Sequence, residues 1–290
     1  ETTLAQKTKM AAQMLTELES EATATFNQFN AKYGICALSL LPVRAQPSDK
    51  SEMTNQLLFG EAFTVLDSSQ DCKWLQIQTN HDQYVGWIDA LQAFPIEEHY
   101  WQGYQKQPAW QVTQPSTPLQ FQGKYFHITR GSLLPFFDTT SEQGMIAEEP
   151  YRCAREATQE ILSKEDIIEQ AHQYLGAPYL WGGRSIWGID CSGFVQQVFR
   201  TVGCQLYRDA HQQATQGELV QDLSKARPTD LAFFERDGRI VHVGIILENQ
   251  KIIHARGSVR IDRLDTKGIL DETSHTYSHQ LMLIKRVCAV

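Results

Sequence analysis

The 290-residue sequence predicts two small all-β barrels followed by an α+β domain in which helices pack on an antiparallel sheet. Three observations carry that prediction. Between about Tyr33 and Cys153 the chain is written in short β-like runs separated by Pro, Gly, Ser and Asn, the texture of small barrels. From residue 154 onward, apolar residues recur first at helical and then at strand spacing, so helices precede a run of strands. The length itself, at ~100–200 residues per domain, accommodates two or three domains with a core in each.

Taken in order, residues 1–32 place Leu4, Ala11, Met14, Leu15, Leu18, Ala22 and Phe26 on one stripe. That predicts an amphipathic N-terminal helix docked on a neighbouring domain. Residues 33–95 follow as a first barrel, with β-like runs at 35–41, 57–58, 62–66, 74–78 and 84–88. A stretch rich in Pro, Gln and aromatics then connects Phe94 to Pro118, a packed connector in contrast to a flexible Gly/Ser tether. With it, residues 96–153 make a weaker second barrel.

Residues 154–290 form the third unit. A helix is predicted over 161–174, a Gly- and Trp-rich loop over 176–190, and a helix from Cys191 whose apolar positions Phe194, Val195, Val198, Phe199 and Val202 run to Gly203. A shorter helical segment covers 209–217. Strands then follow at 230–235, 241–248, 251–255, 259–263 and 280–286.

Composition removes several function classes. Acidic residues outnumber basic ones, 34 to 26, for a net charge of −8; this argues against nucleic acid, whose binding depends on neutralising phosphates. No run of ~18 apolar residues exists, so no membrane span is expected. The six cysteines are scattered, without C-x-x-C pairs, and read mostly as buried apolar fillers, not as a disulfide framework. The chain starts at Glu1, which fits a cleaved signal peptide as well as a trimmed end.

Chemistry concentrates around Asp190-Cys191-Ser192. A cysteine in the first turn of a helix meets free backbone N–H groups and the positive end of the dipole, which favour a thiolate. His242 lies inside an apolar strand, and His254 follows twelve residues later across a short turn, so the two can share one sheet face. If the Cys191 helix packs on that same face, Cys191, His242 and His254 make a nucleophile, a base and an orienting group. Taken singly, each of these residues reads as core. Zinc is the other use of such a set, but ligand sets normally include a short-spaced pair that is missing here.

These residues and their surroundings resemble a known family. The segments Gly176-Ala-Pro-Tyr-Leu-Trp-Gly-Gly183, Gly188-Ile-Asp-Cys-Ser-Gly-Phe194, Pro228-Thr-Asp-Leu-Ala-Phe-Phe234, His242-Val-Gly-Ile245 and Ile253-His-Ala255 resemble NlpC-type peptidases, papain-like cysteine peptidases of bacterial cell walls. The pattern Pro42-Val-Arg-Ala-Gln-Pro-Ser48, Leu57-Leu-Phe-Gly-Glu61, Trp74-Leu-Gln-Ile77 and Tyr84-Val-Gly-Trp-Ile88 resembles a bacterial SH3-like domain.

The combination is similar to the γ-D-glutamyl-L-diamino acid endopeptidases that cut peptidoglycan stem peptides. The resemblance implies Cys191 as nucleophile, His242 as base and His254 as the polar residue behind it. It further implies Tyr179, Asp190, Ser192 and Asp209, with Glu52 and Tyr84 from the first barrel, as the substrate site for peptides with a free N-terminal L-Ala. A cationic amine would suit Asp209 and Glu52. No metal or organic cofactor is implied, and the compartment expected is periplasmic or otherwise outside the cytoplasm, although recycling enzymes also work inside it. A wall-binding protein with weak or no catalysis, and an amidase or acyltransferase on the same scaffold, are the alternatives. The segments Arg184-Ser-Ile-Trp187 and Arg256-Gly-Ser258 match no part of the pattern; the first is expected to shape the substrate pocket.

Overall fold

The computed structural model describes residues 31–107, 110–159, 162–271 and 274–288. The helix expected over 1–32 falls on residues 1–30, outside them.

The first β unit is a seven-stranded antiparallel sheet of Tyr33–Ile35, Leu40–Arg44, Met53–Leu58, Ala62–Ser68, Trp74–Thr79, Val85–Asp89 and Phe94–Ile96. Strand alternation points Leu41, Val43, Leu75, Ile77 and Ile88 inward onto Cys36, Leu57 and Phe63, as a period of two requires. The connector holds a helix, Glu98–Tyr104, that the dense aromatics hid from a periodicity reading. Its aromatics are all docked. Trp101 stacks on Tyr33 with centroids 4.4 Å apart, the Tyr100 hydroxyl donates to Met145 O at 2.7 Å, and Tyr104 donates to Gly60 O at 3.0 Å.

The second β unit consists of two small sheets, and Thr158–Gln159 pairs with Val112 and Gln111, so it runs past residue 153. Tyr33, Ile35, Phe59 and Ala62 of the first unit pack in one cluster with Val112, Leu119, Phe121 and Tyr151 of the second. The two units therefore share a core.

In the third unit, a short 3₁₀ turn leads into a helix limited to Ile167–His172, shorter than the spacing predicts. The helix Cys191–Arg200 is capped by Asp190, whose side chain accepts from the Gly193 N–H, and the chain turns away at Gly203 with φ +74°. The strands Leu231–Arg236, Arg239–Leu247, Lys251–Arg256, Ser258–Leu264, Gly268–Asp271 and Thr276–Arg286 follow in order. The last pairs with both the first and the fifth, closing a six-stranded barrel. Two hairpins close through paired positive φ values, at Asp237 and Gly238 and at Asn249 and Gln250, the mirror-image turns that match strand twist.

Closure gives this barrel two faces. Leu231, Phe233, Val243, Ile245, Ile253 and Ala255 face outward onto Phe194, Val195, Val198 and Phe199 of the Cys191 helix. Ala232, Phe234, Ile246, Ile252, Leu264, Ile269 and Ile284 fill the interior. His242 and His254 do share a face, but it is the interior one, because their numbers carry the parity of Ile246 and Ile252. The helix thus does not pack on the histidine face, contrary to the sequence expectation: Val243 and Ile245 supply the larger apolar surface for it. Among the described residues no helix is long and apolar enough to cross a membrane.

Candidate active site

The Gly-rich loop 182–190 presses against the first β unit. Gly182 has φ +74°, and a Cβ there would stand 2.4 Å from Met53 O, so only glycine permits this approach. Arg184, expected at the substrate pocket, is instead fully buried. Its guanidinium donates to Glu61 Oε2 at 2.8 Å, Glu61 Oε1 at 3.0 Å, Gln56 O at 2.7 Å and Gln197 Oε1 at 3.0 Å. Burial opposes charge on Glu61, but Arg184 and Arg200 hold its carboxyl far below the usual carboxylate range. This bidentate pair clamps the first β unit onto the Cys191 helix.

Asp190 is occupied as completely. Its oxygens accept from Gly193 N at 2.7 Å and Gly182 N at 2.9 Å, and from Arg208 at 3.0 and 2.5 Å. Arg208 is itself buried and also donates to Asn55 Oδ1 at 2.9 Å and Ser192 Oγ at 3.0 Å. Asp190 and Ser192 border the cleft, but their polar atoms are engaged in fixing the helix start and the loop. Arg208 escaped the sequence reading because a lone arginine before a short helix carries no pattern.

Cys191 opens into a cleft of about 860 Å³ bordered also by Tyr179, His242, Asp209, Glu52 and Tyr84; His254 lies behind it, fully buried. Eight of the nine residues expected at the site therefore line one cavity. Burial first, then Asp190, push the Cys191 thiol up to about 12, against the backbone N–H groups of Val243 and Ser192 and the charge of Arg208. The position at a helix start does not by itself yield a thiolate. Burial outweighs the favourable helix-start field.

The histidines form a chain. His242 Nε2 lies 2.8 Å from His254 Nδ1, and His254 Nε2 lies 3.0 Å from Asp262 Oδ2; Arg260 donates to the other Asp262 oxygen at 2.7 Å. Burial opposes ionisation of Asp262, but the hydrogen bonds from His254 and Arg260 outweigh it and hold the carboxyl below its ordinary value. An ionised carboxylate only accepts, so His254 carries its proton on Nε2 and offers a lone pair at Nδ1. His242 then donates from Nε2, which leaves its Nδ1 lone pair free as a base. Burial, followed by the neighbouring His254, His279 and Arg256, keeps the His242 imidazole neutral well below the ordinary histidine range.

Gly244 provides the room: a Cβ there would lie 2.9 Å from the His254 Cβ. His279 stacks on His242 with centroids 4.1 Å apart. Asp262 was visible in the sequence as an acid in an alternating strand one turn beyond His254. His279 carried no signal.

Asp209 caps the helix Ala210–Gln213 in a capping box with Gln212 while bordering the cleft. Its carboxyl is raised, by burial first, against the lowering effect of Arg208 and His211. Glu52 accepts from the Trp181 indole at 2.5 Å. Burial raises the phenols of Tyr179 and Tyr84, so both are neutral donors. The cysteines hold one departure from expectation: Cys204 and Cys288 are joined in a disulfide, which two residues 84 apart in sequence did not announce.

A buried cysteine at a helix start, beside a carboxylate-anchored pair of histidines on a small barrel, defines a papain-like cysteine peptidase. Residues 176–278 match the NlpC/P60 family, and residues 43–92 match the bacterial dipeptidyl-peptidase SH3 domain. The chain carries both and is a cysteine peptidase, a hydrolase of the cell-wall endopeptidase group.

It is 26% identical over 255 residues to the gamma-D-glutamyl-L-lysine dipeptidyl-peptidase of Bacillus cereus, covering 78% of this chain and 74% of that protein. It is 38% identical over 125 residues to the protein of the same name from Bacillus subtilis, covering 42% of this chain and only 40% of that one. A crystal structure of an NlpC/P60 family protein from Bacillus cereus shares the fold, with a TM-score of 0.76 at 20% identity over 88% of this chain and 99% of that one.

Proposed function

We propose that this chain hydrolyses the γ-D-glutamyl–diamino acid bond of peptidoglycan stem peptides whose N-terminal L-Ala is free, in murein turnover or recycling. The observation that carries the reading is the meeting of Cys191 and His242 in a cleft with one wall from the first β unit. A wall contributed by a second unit suits a short acyl portion such as a two-residue L-Ala-γ-D-Glu group. The printed names of the two Bacillus relatives support the same bond class.

In this reading the Cys191 thiol gives its proton to His242 Nδ1 as sulfur attacks the γ-carbonyl carbon. Backbone N–H groups at the helix start face the oxyanion. His242 passes the proton to the leaving amine, the C–N bond breaks, and a thioester remains. Water then gives a proton to His242 and its oxygen to the acyl carbon, the C–S bond breaks, and His242 returns the proton to sulfur to restore the thiol. His254 and Asp262 act through His242 as positioning residues. Asp209 and Glu52 face the substrate's α-ammonium, with Tyr84 and Tyr179 beside them. A cationic amine next to Asp209 offsets the burial that raises its carboxyl, whereas an acylated amine leaves that group unpaired. The Cys204–Cys288 disulfide supports an oxidising, extracytoplasmic setting.

The test is mass spectrometry of L-Ala-γ-D-Glu-diamino acid peptides after incubation. Cys191→Ala should abolish cleavage with the circular dichroism spectrum unchanged, and N-acetylation of the alanine should suppress it at least about 100-fold. Retained turnover by Cys191→Ala overturns the assignment. Equal cleavage of acetylated peptide overturns the amine selection.

A further inference from the structure

The cleft is electrostatically divided. Its lining carries Glu52 of the first β unit and Asp209 with His211 beside it; its His242 end, where the charge of Arg256 acts on His242 and His279 and that of Arg236 on His279, carries Arg236, Arg256 and His279 with Ser278. We propose that this end is a carboxylate subsite for the residue released on the leaving side of the scissile bond. The inference rests on the function proposed above and adds a substrate feature to it.

Direction comes from the proton. His242 must hand its proton to the leaving amine, so the leaving residue lies on the His242 side of Cys191, where His279 stacks on His242.

The basic end has unspent capacity. The Arg236 guanidinium makes no ion pair among the described residues, at an exposed hairpin start. Arg256 pairs with Asp271 at 3.2 Å while remaining 40% exposed, which leaves donors of its fork for a ligand. Two acids nearby are engaged elsewhere: Glu235 accepts from Gly238 N at 2.6 Å, and Asp262 is held by His254 and Arg260. Two guanidinium groups at the mouth of a cleft suit a carboxylate, whether it sits on the main chain or on the side chain of the diamino acid. Either source would also place a counter-charge beside the crowd of imidazoles and arginines that makes His242 reluctant to hold a proton.

The experiment compares kcat/KM for L-Ala-γ-D-Glu-L-Lys, its C-terminal amide, L-Ala-γ-D-Glu-meso-diaminopimelate, and the latter with both terminal carboxyls amidated. These are run with the wild-type chain and with Arg236→Gln and Arg256→Gln. Amidation should lower wild-type kcat/KM about 10-fold or more, equivalent to about 1.4 kcal/mol, and the free-to-amide ratio should fall toward one in the variants. A loss already in the lysine pair assigns the main-chain carboxylate; a loss confined to the diaminopimelate pair assigns the side-chain one. Free and amidated peptides cut equally by the wild-type chain overturn the subsite while leaving the proposed function standing. No cleavage of any of the four overturns the function, and the subsite with it.

Discussion

The chain encloses two β-structured interiors, and they are filled in opposite ways. The first β unit is packed with Leu41, Val43, Leu57, Phe63, Leu75, Ile77 and Ile88 around the buried Cys36. The barrel of the peptidase unit begins alike, with Phe234, Ile246, Ile252, Leu264 and Ile284, but it ends in His242, His254, Asp262 and His279. Buried polar groups cost free energy unless paired, so each of these is tied to the next, and the chain terminates on a carboxylate that Arg260 neutralises. A hydrocarbon interior has no preferred tautomer or proton; this one has a single arrangement that frees one lone pair.

The sharpest way to break the contrast is Asp262→Asn. The amide can donate to His254 Nε2, which moves the His254 proton to Nδ1 and makes His242 Nε2 accept, so that Nδ1 carries the proton and the base is lost. Activity should fall about 10³- to 10⁴-fold in kcat, by analogy with a wrong-tautomer substitution in serine peptidases, with KM little changed and thermal stability nearly retained. A large KM increase with kcat intact would show that Asp262 serves the substrate and not the tautomer. In the first β unit the matching substitution is Ile77→Ala, at a site with no exposure. It should cost about 2–5 kcal/mol of stability, seen as a lowered denaturant midpoint, while kcat stays at the wild-type value below the transition. A loss of kcat without a loss of stability would mean that this interior is coupled to the chemistry directly.

The same contrast explains what the sequence disclosed. Residue type and alternation mark His242 and His254 as odd members of an apolar strand, and twelve residues with a two-residue turn put them on one face. Which face that is depends on barrel closure, a pairing of Thr276–Arg286 with two distant strands that no local pattern encodes. Arg184, Glu61 and Arg208 were opaque for a similar reason. The partners that tie the two units together, Arg184 to Glu61 and Arg208 to Asn55, lie more than 100 residues apart in sequence. The Cys191 helix, by contrast, is local: the periodic apolar run from Phe194 to Val202 was sufficient to place its body, although its cap, Asp190, was expected in the substrate site.

The buried thiols of Cys36 and Cys191, one in each region, give the smallest and most discriminating test. Burial raises both above the ordinary cysteine value, Cys36 with a further push from the Glu61 charge against a smaller backbone contribution at Leu38, and Cys191 to about 12. Only Cys191 borders a cleft and has an imidazole base beside it. Because its pKa lies above ordinary, the thiolate fraction at neutral pH is small and grows about tenfold for each unit of rising pH until the pKa is approached. Iodoacetamide labelling of the native chain, followed by peptide mapping, should therefore show Cys191 alkylation climbing about tenfold per unit between pH 6 and 9 without a plateau, and Cys36 unlabelled throughout. A plateau reached below pH 7 would instead mean that the thiol and His242 rest as a thiolate–imidazolium pair, and that the neutral imidazole derived from the relay to Asp262 is not the ground state. Repeating the profile in Asp262→Asn separates the two cases: a neutral resting pair leaves the slope unchanged, whereas an ion pair that depends on the relay loses its plateau.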